Sequence, residues 1–199
     1  MRISKIKKEY DENGYIVIKK FLKKNLVKVI KDDLQKYITL NKKSFSRRNI
    51  NVTKNNIINS IHDMEKWKWT KYLQKNENLV KIIEKLLETK IKNFGSEVFA
   101  KPAKYGLASP MHQDNFYWCI DDSKGLTVWI SLDKSSSDNG AVSYFKESHN
   151  LGLLQHEPSF APGSSQKIKH MKGLKKFKFI VPKLEPGDCL IHHCLIVHG

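Results

Sequence analysis

Three side chains in this sequence have the types and spacing to hold one metal ion. His112 and Asp114 are two residues apart, so on an extended strand both project from the same face. His198 follows 84 residues after Asp114, at the end of the last strand-like run. Two imidazoles and one carboxylate on one face of a metal leave the opposite positions open, the arrangement associated with non-haem Fe(II) chemistry on dioxygen. The open positions can take a bidentate co-substrate and then dioxygen, and the carboxylate offsets part of the ion's charge. A His-x-Asp pair alone carries little weight in a chain with 8 His and 20 acidic residues, where a histidine on a strand more often packs than ligates.

The text around these residues adds weight. Ser109-Pro110-Met111-His112-Gln113-Asp114 is followed by Val128-Trp129-Ile130-Ser131-Leu132-Asp133. Then come Asp138-Asn139-Gly140-Ala141 leading to Glu147-Ser148-His149, and Pro186-Gly187-Asp188 leading to Ile196-Val197-His198-Gly199. With these four motifs in order, about the last hundred residues resemble the phytanoyl-CoA dioxygenase family. The resemblance implies a double-stranded β-helix, or jelly roll, with iron at its open mouth. It implies Fe(II) held by His112, Asp114 and His198, with 2-oxoglutarate and dioxygen as co-substrates. The implied reaction couples decarboxylation of 2-oxoglutarate to succinate with hydroxylation of a C–H bond in a small molecule. Gln113 and Trp129 match family positions lying against 2-oxoglutarate, although strand alternation points Gln113 away from the metal face. A carboxylate at position 114 argues against halogenation, because it fills the place a halide would need.

One family feature is absent. The family places an arginine about ten residues beyond the second ligand histidine, where its planar fork pairs with the distal carboxylate of 2-oxoglutarate. Here the sequence ends at Gly199 and holds no arginine after Arg48. The expectation is a C-terminally truncated domain whose last strands lie beyond residue 199. Otherwise a lysine such as Lys101 or Lys183 takes the arginine's place, or the protein is a non-catalytic jelly-roll homologue that binds a metal or ligand.

Other chemically able residues have plainer readings beside the functional one. Asn139-Gly140 makes a tight turn. Pro186-Gly187-Asp188 starts the last strand. Turn packing accounts for His149 as well as chemistry does. Regular alternation puts His192 on the face of His198, whereas the family pattern favours His193; either is a packed core histidine or a hydrogen-bonding support for a ligand. Tyr117 and Trp118 line a pocket or fill a barrel core.

These residues need elements to position them, and the sequence reads as α+β. The first ninety residues read mainly helical. Leu26, Ile30, Leu34 and Tyr37/Ile38 recur at helical spacing after a capping Asn25, and a short β-like run at 15–18 precedes them. Asp63 is placed to cap a helix through Leu73, and Leu79, Ile82, Ile83, Leu86 and Leu87 form an apolar stripe. Residues 41–60 read as a polar loop at the substrate entrance. From residue 91 short strand-like runs take over, at 97–100, 112–120, 126–132, 141–145, 177–181 and 189–198, separated by turn residues. A Gly-, Ser-, Pro- and Lys-rich connection over 150–176 reads as a functional lid or a disordered segment. The pattern predicts one domain over 1–199, an antiparallel double-sheet barrel with the N-terminal helices packed on one side.

Composition bounds the rest. At 199 residues, 40% of them hydrophobic, the chain can bury a core without staples. No apolar run reaches the roughly 20 residues of a membrane helix, and the N-terminus lacks a secretory signal, so a cytoplasmic location is expected. Cys119, Cys189 and Cys194 are an odd number, expected as reduced, buried thiols. The net charge of +16 raises a nucleic-acid role. Its carriers are scattered lysines, with Arg2, Arg47 and Arg48 the only arginines, which reads as a solvated basic surface with no specific nucleic-acid site.

Overall fold

The structure is a computed structural model that describes residues 2–41, 50–52, 58–101, 108–161 and 165–199. In chain order its elements are α1 (Ile3–Asn13), β1 (Tyr15–Ile18), α2 (Lys24–Asn41), β2 (Ile50–Val52), β3 (Ile58–Ile61), α3 (Lys68–Gln74), α4 (Glu77–Leu87) and β4 (Val98–Phe99). They continue with α5 (Asn115–Trp118), β5 (Leu126–Ile130), β6 (Tyr144–Phe145), β7 (His156–Pro158), β8 (Gln166–Ile168), β9 (Phe179–Ile180) and β10 (Cys189–His193), plus three short 3₁₀ turns. The chain divides into two compact units, Met1–Lys23 with Ala108–Gly199, and Lys24–Leu107.

The unit of Lys24–Leu107 holds α2, α3, α4 and an antiparallel sheet in the order β2-β3-β4. Helix α4 buries Leu79, Ile82, Ile83 and Leu86, the stripe its spacing predicts, and Asn76 caps it by accepting from the Leu79 N–H at 3.0 Å. Helix α2 buries Val27, Ile30 and Leu34, so the stripe enters at Val27 where the sequence suggested Leu26. Neither expected cap at the other helices holds. Asn25 lies inside the first turn of α2, and Asp63 sits at φ 57 several residues before α3, which starts after Trp67. The expected loop over 41–60 contains β2 and most of β3; its residues 42–49 and 53–57 lie outside the described residues.

The other unit carries the site. Helix α1 is laced by Lys-to-acid pairs four residues apart, Lys5–Glu9, Lys7–Asp11 and Lys8–Glu12. It stops at Gly14, whose φ of 80° and N–H bond to the Tyr10 carbonyl at 2.7 Å form a left-handed cap. A Cβ there would come within 2.5 Å of His149 Nδ1, so the turn into β1 needs glycine for space as well as for φ. Strand β10 lies between β1 and β5, antiparallel to both. Flanked on two sides, it reads as a buried run, and Cys189, Leu190, Ile191 and His192 are all buried.

Beyond β10 the chain turns, with Ile196 N–H on the His193 carbonyl at 3.0 Å, so the expected single strand over 189–198 ends at His193. Extended backbone then resumes. Ile196 packs with Tyr144, Leu184 and Leu190, while Val197 packs with Ile168 and Leu174 on the other side. The connection over 150–176, expected as a lid or a disordered segment, contains an antiparallel hairpin of β7 and β8; its residues 162–164 lie outside the described residues. The expected strand over 112–120 is also corrected: after His112 the chain enters α5. Cys189 and Cys194 are buried thiols as expected, whereas Cys119 is exposed. No helix among the described residues is long and apolar enough to cross a membrane.

Candidate metal centre

His112 and His198, far apart in sequence, meet as an antiparallel backbone pair. His112 N–H donates to the His198 carbonyl at 2.8 Å and His198 N–H returns to the His112 carbonyl at 3.0 Å. On its other side the 197–199 segment is laddered to 143–145 through the Phe145 N–H and reciprocal bonds between Ser143 and Gly199. The fit is tight: a Cβ on Gly199 would fall 2.7 Å from the Ser109 carbonyl oxygen. The pairing puts the two imidazole centroids 4.4 Å apart.

Each ring has a fixed tautomer. Carbonyl oxygens only accept, so His112 Nδ1–H donates to Pro110 O at 2.9 Å and His198 Nδ1–H donates to Ile196 O at 3.0 Å. Both Nε2 atoms therefore point inward as prospective ligands, in the manner of metal-binding histidines. Asp114 completes the group from the first turn of α5, its backbone already αR. Its Oδ1 lies 3.7 Å from His112 Nε2 and 3.4 Å from His198 Nε2. One nitrogen from each histidine and one Asp114 oxygen all lie within 4.8 Å of one another.

The other carboxylate oxygen, Oδ2, accepts from Thr127 Oγ1 at 2.7 Å and from His192 Nε2 at 3.1 Å. Burial works to raise the Asp114 pKa, but the nearby His198 and the bonds from His112, His192 and His198 prevail and hold it well below the usual carboxylate range. Burial works to lower that of His198, yet attraction to Asp114 raises it. Burial, reinforced by His198, pushes His192 down to about 4 despite its bond to Asp114, so it stays neutral at pH 7. An anionic oxygen and two inward nitrogens form a donor set that fits a divalent cation.

The other residues singled out in the sequence fall into place around this group. The structure does not set Gln113 on the metal side. Its side chain is fully buried and spent on backbone: Nε2 donates to Gly152 O at 2.9 Å and Leu195 O at 2.6 Å, and Oε1 accepts from Leu154 N–H at 2.8 Å. Trp129 packs against the cluster of Tyr144, Leu184, Leu190 and Ile196. Of the two candidate histidines on β10, His192 is the one that touches Asp114; His193 Nδ1 accepts from Leu195 N–H at 3.0 Å and shapes the turn. His149 Nε2–H donates to Asp11 O at 3.0 Å, anchoring the end of α1. Tyr117 meets the His112 ring edge-on at 6.0 Å, and Trp118 lies against Gly125. Lys183 is exposed, and half-burial lowers the pKa of Lys101 in the other unit.

Sequence reasoning missed Thr127, Tyr144, His156 and the role of Asp188. His156 Nε2 accepts from Gln113 N–H at 3.2 Å, and its ring stacks on Phe116 at 4.2 Å. Asp188 gathers Lys19 Nζ and the Lys20 and Glu185 N–H groups, each at 2.8 Å, and so fixes the start of β10. A carboxylate in a Pro-Gly-Asp turn gives some warning of that role; cross-strand partners such as Thr127 leave no local signal.

Comparison with known proteins places this geometry in context. The family model described as Phytanoyl-CoA dioxygenase (PhyH) matches residues 10–199. The chain is 24% identical over 205 residues to a 1-deoxypentalenic acid 11-beta-hydroxylase of Streptomyces exfoliatus, covering 95% of the chain and 71% of that protein. It is 22% identical over 208 residues to the peroxisomal phytanoyl-CoA dioxygenase of Homo sapiens, covering 97% of the chain and 62% of that protein. The chain thus spans about two thirds of the length of these curated relatives. In fold it is similar to EctD from S. alaskensis with bound Fe, at TM-score 0.82 and 17% identity, over 98% of the chain and 69% of that structure. It is also similar to the epimerase SnoN in complex with Fe3+, alpha ketoglutarate and nogalamycin RO, at TM-score 0.73 and 18% identity, over 98% and 75%.

Proposed function

The chain belongs to the phytanoyl-CoA dioxygenase family of Fe(II)/2-oxoglutarate-dependent oxygenases, and on that premise we propose that it hydroxylates a C–H bond of a small molecule at iron held by His112, Asp114 and His198. The single observation that carries the assignment of residues is the convergence of two tautomer-fixed Nε2 atoms and one carboxylate oxygen. Ligands bound in neighbouring positions of a first-row metal sit about 3 Å apart. The separations of 3.4 and 3.7 Å from Asp114 Oδ1 are close to that, so small side-chain movements bring all three onto one ion.

When bound, the ferrous ion supplies the coupling of 2-oxoglutarate decarboxylation, giving succinate, to oxidation of the substrate by dioxygen. The chain's own residues supply the rest. Pro110 O and Ile196 O keep the histidine tautomers, Asp114 provides the anionic ligand, and Tyr117 walls the His112 ring. The unit that carries these residues is the core of a jelly roll in this reading. Support comes from its short antiparallel strands, from the apolar clusters packed on opposite sides of the 196–197 segment, and from the fold of the similar structures.

The test is succinate release by the anaerobically iron-loaded chain supplied with 2-oxoglutarate and oxygen. We expect release that requires iron and is abolished in His112→Ala and Asp114→Ala. Release that continues unchanged in both variants sinks the proposal.

A further inference from the structure

Asp114 presents two oxygens, and the sheet has already claimed one of them. Thr127 on β5 and His192 on β10 are direct cross-strand partners. Side chains directly opposite in an antiparallel pair stand about 5 Å apart at Cβ on the same face, so the backbone itself sets the distance between these two donors. Both aim at Oδ2, which as a carboxylate oxygen has the lone pairs to accept both. Because Oδ2 only accepts, His192 Nε2 carries the proton and Nδ1 is left as an acceptor. That acceptor is met by the Tyr144 hydroxyl at 3.0 Å. Tyr144 is fully buried and stacks at 5.5 Å and 14° on Tyr15, which lies opposite His192 on β1. The row Tyr15, His192, Thr127 across three strands, with Tyr144 laid over it, thus fixes one face of the carboxylate.

We infer that Thr127, His192 and Tyr144 are positioning residues that hold Asp114 as a one-oxygen ligand, with Oδ1 alone offered to the metal. The inference rests on the proposed iron centre and says how that centre keeps room for its reactants. On an octahedral ion, two imidazoles and one carboxylate oxygen leave three positions, enough for a two-point co-substrate and dioxygen together. A carboxylate swung to bind through both oxygens would remove one of the three. Holding Oδ2 by hydrogen bonds from a sheet prevents that swing without adding a further charge.

The experiment loads the chain with Co(II), a spectroscopic stand-in for Fe(II), and reads both affinity and ligand-field absorption. Folding of each variant is confirmed by circular dichroism. His192→Leu and Thr127→Val are each expected to weaken metal binding about ten- to a hundredfold and to alter the absorption bands. His192→Gln, whose amide N–H can still reach Oδ2, and Thr127→Ser are expected to stay close to wild type in both. Tyr144→Phe is expected to fall between. Folded His192→Leu and Thr127→Val proteins with wild-type affinity and bands overturn the inference. So does an equal loss in His192→Gln and Thr127→Ser, since shape rather than hydrogen bonding would then be what matters. If His192→Leu does not fold, Thr127→Val decides the matter. A wild-type chain that binds no metal removes the iron centre itself and this inference with it, whereas a binding wild type matched by every variant removes only the positioning role.

Discussion

The two flanks of the segment carrying His112 and Asp114 are held by different means. On one, Asp114 rests on Thr127 and His192, side chains of a three-stranded sheet whose central strand is buried along most of its length. On the other, residues 111–117 are tied to the β7–β8 hairpin by Ile168 N–H on Met111 O, by His156 on the Gln113 N–H and by Gln166 N–H on the Tyr117 hydroxyl, and to Gly152 and Leu154 just before it by the Gln113 amide. The hairpin flank is far more open: Leu153 is 53% and Phe160 100% exposed, and a groove lined by Phe116, Leu154, His156 and Lys169 runs along it. Rigid sheet donors suit a carboxylate proposed as a metal ligand, whose angle would decide how many positions it takes. A hairpin held by a few scattered backbone and side-chain bonds is the less constrained flank.

The contrast can be broken or sharpened by substitution. The largest effect is expected from Asp114→Ala, which removes the only anionic ligand of the group and should abolish measurable iron binding in an anaerobic titration while leaving the fold intact. Retention of tight binding would detach the sheet flank from any metal role. Next comes Gln113→Leu, which strands the Leu154 N–H and leaves two carbonyls with one partner fewer. A cost of about 1–3 kcal/mol is expected in denaturant unfolding, with faster hydrogen exchange concentrated in 152–158. An unchanged midpoint would show that the hairpin does not depend on this amide.

A smaller, pH-dependent effect should come from the turn after β10. Burial first, then the neighbouring His149 and His192, pushes His193 down to about 4, below its ordinary value near 6.5. Between those values the unfolded chain takes up a proton that the folded one refuses, so stability falls as pH drops from 6.5 toward 4. His192, also near 4, contributes in the same direction. Thermal unfolding of the metal-free chain should therefore show a falling midpoint over that window, with a shallower slope in His193→Gln. An identical slope in the variant would exclude His193 as a contributor. The smallest effect is expected from Tyr117→Phe, which loses the bond from the Gln166 N–H at a partly exposed site and should cost under about 1 kcal/mol, with local exchange as the more sensitive readout.

Much of the centre was legible because its signals are local or ordered along the chain. His112 and Asp114 are two residues apart, and the motifs that flank them and His198 occur in a fixed order. The α4 stripe was legible for the same reason, since its period lies within a single element. What escaped reading depends on pairing between distant segments. Thr127 and His192 become partners only when β5 and β10 find their register, and Tyr144 meets His192 across 48 residues of sequence. The aromatic run Asn115-Phe116-Tyr117-Trp118 has strand propensity, yet tertiary context turns it into a helix, with Asn115 N–H on the Cys194 carbonyl and the Asn115 amide closing onto Ile120. Strands β7 and β8 are three residues each and carry His, Glu, Pro, Gln and Lys, too short and too polar for alternation to reveal them.

The most direct measurement is an anaerobic Fe(II) titration of the wild-type chain beside His112→Ala, Asp114→Ala and His198→Ala. One ion per chain in wild type, with binding lost in each of the three variants while their circular dichroism stays native, is the predicted result. Undiminished binding in any one of the folded variants would contradict a centre built from these three side chains.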